Sequence, residues 1–122
     1  MRALIVDDSS FIREYLRTLL QRMGVSCEEA ANGSDALTVL AAAESFDLML
    51  LDVNMPGMNG LECVKAVREA RLGDQMKVMM VTTEADNSFI SAALSNGADE
   101  FLMKPFTPES LREKIALLGF AA

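Results

Sequence analysis

The stretch Ala3-Leu4-Ile5-Val6-Asp7-Asp8 is a continuous apolar run that ends abruptly in two acids. Residues 48–52, Leu-Met-Leu-Leu-Asp, repeat this pattern. Residues 78–81, Val-Met-Met-Val, form a third apolar run, which is followed by Thr82. Short apolar runs without polar alternation are typical of strands that are buried on both faces of a parallel sheet. The three runs therefore predict the centre of such a sheet.

Two more segments complete the set of predicted strands. Residues 26–29 are more polar and suit an edge strand, and residues 100–103 form the fifth run. Helix-like segments separate the strands, and the first of them, residues 9–23, has apolar residues at three- and four-residue spacing. These segments cover residues 9–23, a stretch from Asn32 or Ser34 to about Ala43, residues 60–70, a stretch from near Asp86 to Leu94, and residues 108–118 with Thr107 as the N-cap. Five alternations of strand and helix predict an α/β fold, a (βα)5 three-layer sandwich with right-handed crossovers.

Composition narrows the class of protein. The 122 residues predict one domain, 1–122, that is large enough to bury a core. The net charge of -7 argues against nucleic acid as a partner, because a nucleic-acid surface needs a basic face. The apolar runs are too short to span a membrane, and the first strand begins with no signal peptide before it. We therefore expect a cytoplasmic protein, and a monomer.

Histidine is absent from the chain. This excludes Ser-His triads, His-ligated zinc and a phosphohistidine of the chain's own. A general base must here be a carboxylate, a lysine or water. A phosphoryl group carried on histidine must come from another molecule.

Polar side chains stand at the carboxyl ends of the predicted strands. Asp7 and Asp8 follow the first strand, Asp52 follows the third, Thr82 ends the fourth and Lys104 follows the fifth. In an open α/β sheet, ligands bind in the crevice at these ends, where the strand order reverses. With the common order 2-1-3-4-5, the crevice lies between strands 1 and 3, so the five residues are expected to converge on one site.

Three clustered carboxylates repel one another, so either some of them stay protonated or a cation lies among them. At about 4 Å and an effective dielectric constant of about 20, each pair of carboxylates costs roughly 4 kcal/mol. Oxygen ligands without histidine select a hard cation, and Mg²⁺ (or Mn²⁺) fits best. A carboxylate beside such an ion is a nucleophile for a phosphoryl group, and Asp52 is the candidate. Lys104 would neutralise charge on the phosphoryl oxygens, and the Thr82 hydroxyl would donate to one of them.

Four segments resemble the receiver domain of two-component response regulators. These are residues 6–9 (Val-Asp-Asp-Ser), 51–60 (Leu-Asp-Val-Asn-Met-Pro-Gly-Met-Asn-Gly), 81–83 (Val-Thr-Thr) and 103–106 (Met-Lys-Pro-Phe). The resemblance covers essentially the whole chain and is greatest for the stand-alone CheY type. CheY itself has the sheet order 2-1-3-4-5, so our prediction of that order rests on the resemblance as well.

The resemblance implies roles in binding the metal and the phosphoryl group. Asp52 matches the phosphorylated aspartate and also contributes to the metal site. Asp8 matches a direct metal ligand, and Asp7 matches one that acts largely through water. Asn54 matches the residue whose backbone carbonyl ligates the metal. Lys104 matches the lysine that contacts the phosphoryl group.

The resemblance also implies switch and tuning residues. Thr82 matches the switch hydroxyl, and Phe101 matches the aromatic rotamer switch, where many CheY-type proteins have tyrosine. Asn54 and Glu84 occupy the two positions that tune dephosphorylation. The Lys104-Pro105 bond matches the family's cis peptide.

The resemblance further implies partners. The phosphodonor would be the phosphohistidine of a sensor histidine kinase. Output would be a change in binding at the face formed by the fourth helix, fifth strand and fifth helix, with an effector such as a flagellar-motor switch component in chemotaxis or motility control. Two alternatives stay open. One is a docking-only pseudo-receiver, and the other is a phosphatase of the haloacid-dehalogenase type, which needs a second aspartate where Asn54 stands.

Overall fold

Strands and helices alternate through the described part of the chain, residues 1–42, 45–83 and 88–120, in a computed structural model. The described elements are β1 (Arg2–Val6), α1 (Ser10–Arg22), β2 (Ser26–Ala30), α2 (Gly33–Ala42), β3 (Leu48–Asp52), α3 (Gly60–Glu69), β4 (Lys77–Thr83), α4 (Ser88–Ser95), β5 (Glu100–Lys104) and α5 (Pro108–Leu117). This alternation confirms the predicted α/β class.

The strands form one parallel sheet of order β2-β1-β3-β4-β5, as predicted. β1 lies between β2 and β3, so Val6 pairs with both Ala30 and Leu51. The order reverses at β1, where the chain first crosses to β2 and later returns to β3 on the other side. All the strands point the same way, so their carboxyl ends meet at one edge of the sheet.

Two separate apolar cores cover the faces of the sheet. Successive side chains of a strand point to opposite faces, so Leu4 belongs to one core and Ile5 to the other. The core with Ile5 includes buried residues of α1 and α5, such as Leu20 and Ile115. The core with Leu4 includes buried residues of α2, α3 and α4. The molecule is thus the three-layer sandwich that the sequence predicts.

Helix starts follow their capping residues closely. The side chains of Ser9, Asn59 and Thr107 accept hydrogen bonds from backbone N–H groups in the first turns of α1, α3 and α5. The Asn32 side chain accepts a 2.8 Å hydrogen bond from the Asp35 N–H, which resolves the alternative starts of α2 in favour of Asn32 as the cap.

Some boundaries differ from the predictions or cannot be compared with them. Asp52 and Lys104 lie inside their strands rather than after them, because the pairing with β4 continues to Asp52↔Val81 and Thr83↔Lys104. The predicted end of the second helix at Ala43 and the start of the fourth near Asp86 fall outside the described residues. Within the described residues, none of the helices has the length and apolar character needed to cross a bilayer.

Candidate functional site

Three carboxylates meet where β1 and β3 end. Asp7 and Asp8 follow β1, and Asp52 is the last residue of β3, the neighbouring strand. One oxygen from each carboxylate lies within 4.8 Å of the other two. Asp7 and Asp52 are buried, at 2% and 6% exposure, while Asp8 is exposed. The acids that the sequence placed at separate strand ends are therefore close together, and one side of the cluster is open to solvent.

The backbone after β1 makes a tight turn that places Asp7 inward. The Asp7 N–H donates to the Ala30 carbonyl of β2 at 3.2 Å, which continues the sheet pairing by one residue. The Asp7 carboxylate then accepts from the Ser9 N–H at 2.9 Å. Such a side-chain-to-backbone bond two residues ahead is the Asx turn that aspartate favours. It fixes the buried carboxylate and leaves Asp8 at the rim.

Lys104 joins the ends of three strands. Its ammonium nitrogen lies 3.3 Å from Oδ2 of Asp7 and 3.3 Å from Oδ1 of Asp52. Lys104 itself is in β5, at the far side of β4 from Asp52. The Lys104–Pro105 peptide bond that follows is cis. The lysine and two acids that were predicted to share a site are thus in direct contact.

The environment of Asp52 disfavours its charged form. Burial is the main reason that the pKa of Asp52 rises from 3.8 to about 6, and the nearby Asp7 carboxylate adds to the rise. The Lys104 ammonium and a hydrogen bond from the backbone N–H of Asn54 oppose it. At neutral pH Asp52 is still mostly ionised, but at a cost in free energy that a bound cation would relieve.

The donor set fits a hard divalent ion. All three side chains offer carboxylate oxygens, which suit Mg²⁺ or Mn²⁺ better than softer metals. Among the described residues, Lys104 is the ammonium that pairs with this cluster, through Asp7 and Asp52, so the three carboxylates carry more negative charge than it offsets. Asn54 is exposed on the loop after β3, beside the same acids. The residues present therefore fit the predicted metal site.

The two predicted switch residues lie at different depths. Thr82 is 1% exposed, and its hydroxyl donates to the Thr83 carbonyl at 3.3 Å. It is one residue beyond Val81, the pairing partner of Asp52. Phe101 is half-buried on β5 against the core of α2, α3 and α4. Glu84, the second predicted tuning residue, lies outside the described residues.

The α3 helix begins against the backbone of Asp52. At Gly60, a Cβ atom would overlap the Asp52 carbonyl oxygen and come within 2.8 Å of the Val53 Cα. Gly60 also donates its N–H to the Val53 carbonyl at 2.8 Å. The absence of a side chain at Gly60 allows α3 to pack directly against the strand end that bears the candidate nucleophile.

An arginine contact at the site was not predicted from the sequence. The Arg13 guanidinium donates to the Asp7 carbonyl at 2.6 Å and to the Glu29 carboxylate at 3.0 Å. Arg17 binds the other oxygen of Glu29 at 2.7 Å. The only sequence signal is two arginines four residues apart on α1, which place them on one helix face. Their targets, an edge-strand acid and a backbone carbonyl, become visible only in three dimensions.

A surface groove borders Asp8, the exposed member of the acidic cluster. It has a volume of about 350 Å³ and is bordered by the start of α2 and the loop before α3; its lining includes Asp8, Asn32, Ser34, Asp35 and Met58. Asp8 thus lies between the buried acids and an open space.

The chain matches the model of the response regulator receiver domain family over residues 3–116. It is similar to a chemotaxis protein CheY homolog of Campylobacter jejuni, with 40% identity over 94% of this chain and 89% of the relative. It is also similar to the chemotaxis protein CheY1 of Helicobacter pylori, with 37% identity over 97% of this chain and 96% of the relative.

The comparison with solved structures also finds proteins of the CheY type. The chemotaxis response regulator CheY4 of Vibrio cholerae superposes with a TM-score of 0.88 at 38% identity, covering 96% of this chain and 97% of the other. A CheY-like receiver domain protein from Methanospirillum hungatei gives a TM-score of 0.86 at 35% identity, covering 97% and 93%. Sequence and backbone therefore point to the same family over nearly the full length.

Proposed function

Since this chain belongs to the response regulator receiver domain family, we propose that Asp52 accepts the phosphoryl group and that Mg²⁺ (or Mn²⁺) assists the transfer. The chain is a phosphoacceptor signalling protein rather than a conventional enzyme, and its phosphodonor is a histidine kinase. The family match covers residues 3–116, and we propose that residues 1–122 act as a single receiver domain.

The contact of Lys104 with both Asp7 and Asp52 is the observation that supports this function best. A buried carboxylate with a lysine ammonium 3.3 Å away meets the needs of a phosphoryl acceptor. The carboxylate supplies the attacking oxygen, and the ammonium lies where charge on the phosphoryl oxygens must be offset. An acid that served only to stabilise the fold would not need a second buried acid and an exposed third one beside it.

The metal would be held by the carboxylates of Asp7, Asp8 and Asp52 and by the backbone carbonyl of Asn54. When bound, a divalent ion lowers the repulsion between the acids and the incoming phosphoryl oxygens. The fit rests on the clustered carboxylate oxygens and on the raised pKa of Asp52. Asp7 is already oriented by the Ser9 N–H, whereas Asp8 faces solvent at the groove.

In the transfer, an Asp52 oxygen forms a bond to phosphorus as the bond between phosphorus and the donor's imidazole nitrogen breaks. The electron pair of the broken bond stays on that nitrogen. Lys104 stays beside the acceptor oxygen throughout. The Thr82 hydroxyl donates to a phosphoryl oxygen once the threonine moves toward it. Asn54 and Glu84 tune the later attack of water on the aspartyl-phosphate.

The signal reaches the output face through movement of residues on β4 and β5. As Thr82 moves toward the phosphoryl group, Phe101 turns inward and the face of α4, β5 and α5 changes its binding. The relatives named as chemotaxis proteins support an effector in chemotaxis, such as a flagellar-motor switch component. We propose that the protein acts as a cytoplasmic monomer in this pathway.

Incubation with acetyl phosphate and Mg²⁺, followed by intact mass spectrometry, tests the proposal. We expect one phosphoryl adduct on the parent chain and none on Asp52→Asn, which keeps the side-chain shape but removes the nucleophile. Omitting Mg²⁺ should slow the labelling sharply. A folded chain that gains no adduct would instead be a docking-only pseudo-receiver.

Repeated turnover of a small phosphomonoester would support the haloacid-dehalogenase-type alternative. The family match and Asn54, at the position where that class needs an aspartate, both favour the receiver. Unchanged labelling of Asp52→Asn would refute the assignment of the acceptor.

A further inference from the structure

The turn that contains Asp7 and Asp8 is held from outside the acidic cluster by Arg13 on α1. We propose that Arg13 is a positioning residue, which orients the Asp7–Asp8 peptide so that the two carboxylates are arranged for the metal. This inference rests on the proposed function, because it concerns the same metal site. It adds a residue that acts through the backbone and does not touch the metal or the phosphoryl group.

The contacts of Arg13 are short and well shielded. One terminal nitrogen donates to the Asp7 carbonyl at 2.6 Å, and Nε donates to Glu29 at 3.0 Å. The Arg13 side chain is 17% exposed. Charge-assisted hydrogen bonds of this kind are roughly twice as strong as neutral ones. Arg13 therefore fixes the turn more firmly than a solvent-exposed contact would.

The Asp7 residue is held at both of its backbone groups. Its N–H donates to the Ala30 carbonyl of β2, and its carbonyl accepts from Arg13. Rotation of the peptide between Asp7 and Asp8 would break the bond to Arg13. The exposed Asp8 carboxylate is attached directly after that peptide, so its direction depends on the peptide's orientation. Outer residues that orient metal ligands typically contribute a factor of about 10 to 100 in metal affinity.

Arg17 is a matched control for this contact. It binds the same carboxylate, Glu29, at 2.7 Å, and is on the same face of α1 one turn further on. Within the described residues, its hydrogen bond goes to Glu29 and not to the turn after β1. Arg13→Gln and Arg17→Gln therefore each remove one ion pair with Glu29, but only the first removes the bond to the Asp7 carbonyl.

The test measures Mg²⁺ affinity by calorimetry on the full chain without a phosphodonor. We expect Arg13→Gln to weaken Mg²⁺ binding by about tenfold or more, and Arg17→Gln to change it by less than about twofold. Arg13→Lys keeps a cation that is able to reach the Asp7 carbonyl or Glu29 but not both, so its affinity should fall between those of the parent and Arg13→Gln. It is also the variant to use if Arg13→Gln does not fold.

A second measurement does not depend on the metal. In metal-free protein, the carbonyl ¹³C resonance of Asp7 and the amide ¹⁵N resonance of Asp8 report the hydrogen bond to that carbonyl. Both should shift in Arg13→Gln and stay in place in Arg17→Gln. Equal Mg²⁺ affinity in the parent and both Arg13 variants, or equal losses in the Arg13 and Arg17 variants, would overturn the inference. Absence of Mg²⁺ binding to the parent chain would overturn the proposed function as well, so the two failures are distinct.

Discussion

The ammonium nitrogen of Lys104 is equally distant, at 3.3 Å, from an oxygen of Asp52 on β3 and an oxygen of Asp7 after β1. A residue of β5 thereby connects the ends of three strands at the point where the acids meet. Lys104 lowers the pKa of Asp52, against the effects of burial and of Asp7. Together with the hydrogen bond from the Asn54 N–H, it favours the ionised form of the candidate nucleophile in the absence of a metal.

Lys104→Met should slow phosphorylation of Asp52 by about a hundredfold at saturating Mg²⁺, since loss of one preorganised charge donor typically costs that much. Methionine keeps most of the apolar length of the side chain and removes the charge. The measurement is the rate of adduct formation with acetyl phosphate, followed by intact mass. Lys104→Arg keeps the charge with a different shape and should be intermediate. A Lys104→Met rate within about twofold of the parent would contradict the role of the ammonium.

Asp52→Asn should stabilise the metal-free protein at neutral pH. The folded-state pKa of about 6 exceeds the ordinary 3.8, so the folded state binds more protons than the unfolded state between these values. Stability is therefore lost as pH rises through this window, by at most about 3 kcal/mol. Asparagine does not ionise, so the variant does not lose this stability as pH rises. We therefore expect its unfolding free energy to exceed that of the parent by about 1–3 kcal/mol at pH 7.5 in EDTA.

Urea unfolding at pH 7.5 and pH 4 checks this prediction. The stabilising effect of Asp52→Asn should shrink toward pH 4, where the parent carboxyl is largely protonated in the folded state. Saturating Mg²⁺ should stabilise the parent more than the variant, because the ion binds the folded parent more tightly. If the variant is less stable than the parent at pH 7.5 in EDTA, then the ionised Asp52 carboxylate does not destabilise the folded state.

Gly60→Ala and Gly33→Ala form a matched pair, since each glycine begins a helix. At Gly60 the new Cβ meets the backbone of Asp52 and Val53, which cannot yield without moving the strand end. At Gly33 it meets the flexible side chain of Met58, whose sulfur would be 2.8 Å away and whose Cγ and Cβ would be 3.1 and 3.2 Å away. We expect Gly60→Ala to lower the unfolding free energy by about 1–3 kcal/mol and Gly33→Ala to be near neutral.

The same two variants distinguish an effect on the unfolding free energy from an effect on the phosphorylation of Asp52. Gly60→Ala should also slow the phosphorylation of Asp52 in the fraction that stays folded, because the displaced backbone carries the acceptor. Urea unfolding and the rate of adduct formation measure the two effects. Similar unfolding free energies for Gly60→Ala and the parent would mean that α3 has room to shift away from β3.

Much of this architecture was predictable because the central strands have an unambiguous pattern. The runs at 3–6, 48–51 and 78–81 are too uniformly apolar for a surface element, and the acids after the first two and the threonine after the third mark the strand ends. The place of Lys104 in the site followed from the parallel sheet. The order of the strands rested partly on resemblance, since periodicity alone does not say which strands are neighbours.

Other features of the site depend on contacts that a linear pattern does not contain. Arg13 acts on a backbone carbonyl, which has no residue signature, and on Glu29, an acid in the edge strand. The ends of β3, β4 and β5 were predicted one residue short because a polar side chain looks like the end of a strand. The pairing of Asp52 and Lys104 with β4 shows that backbone hydrogen bonds continue past the apolar run.

The proposed output face of α4, β5 and α5 contains a contact between a lysine and the ring of Phe101. The ammonium of Lys114 on α5 lies 4.2 Å from the ring centroid of Phe101 and 3.1 Å from a carboxylate oxygen of Glu100. A cation over an aromatic face contributes about 0.5–1 kcal/mol at a partly exposed site. If Phe101 turns inward on phosphorylation, it must leave this contact, so Lys114 favours the unphosphorylated arrangement. Lys114→Met should therefore raise the affinity for the phosphoryl mimic beryllofluoride by about two- to fivefold.

An NMR titration with beryllofluoride at saturating Mg²⁺ measures this affinity. Glu100→Gln is the control, because it removes the ion pair with Lys114 but leaves the ammonium beside the Phe101 ring; its affinity should stay within about twofold of the parent. Phe101→Leu removes the aromatic face, so adding Lys114→Met to it should have little further effect. If Lys114→Met binds the mimic no more tightly than the parent does, then the ring does not leave the ammonium on activation, and Phe101 is not the element that transmits the signal to α5.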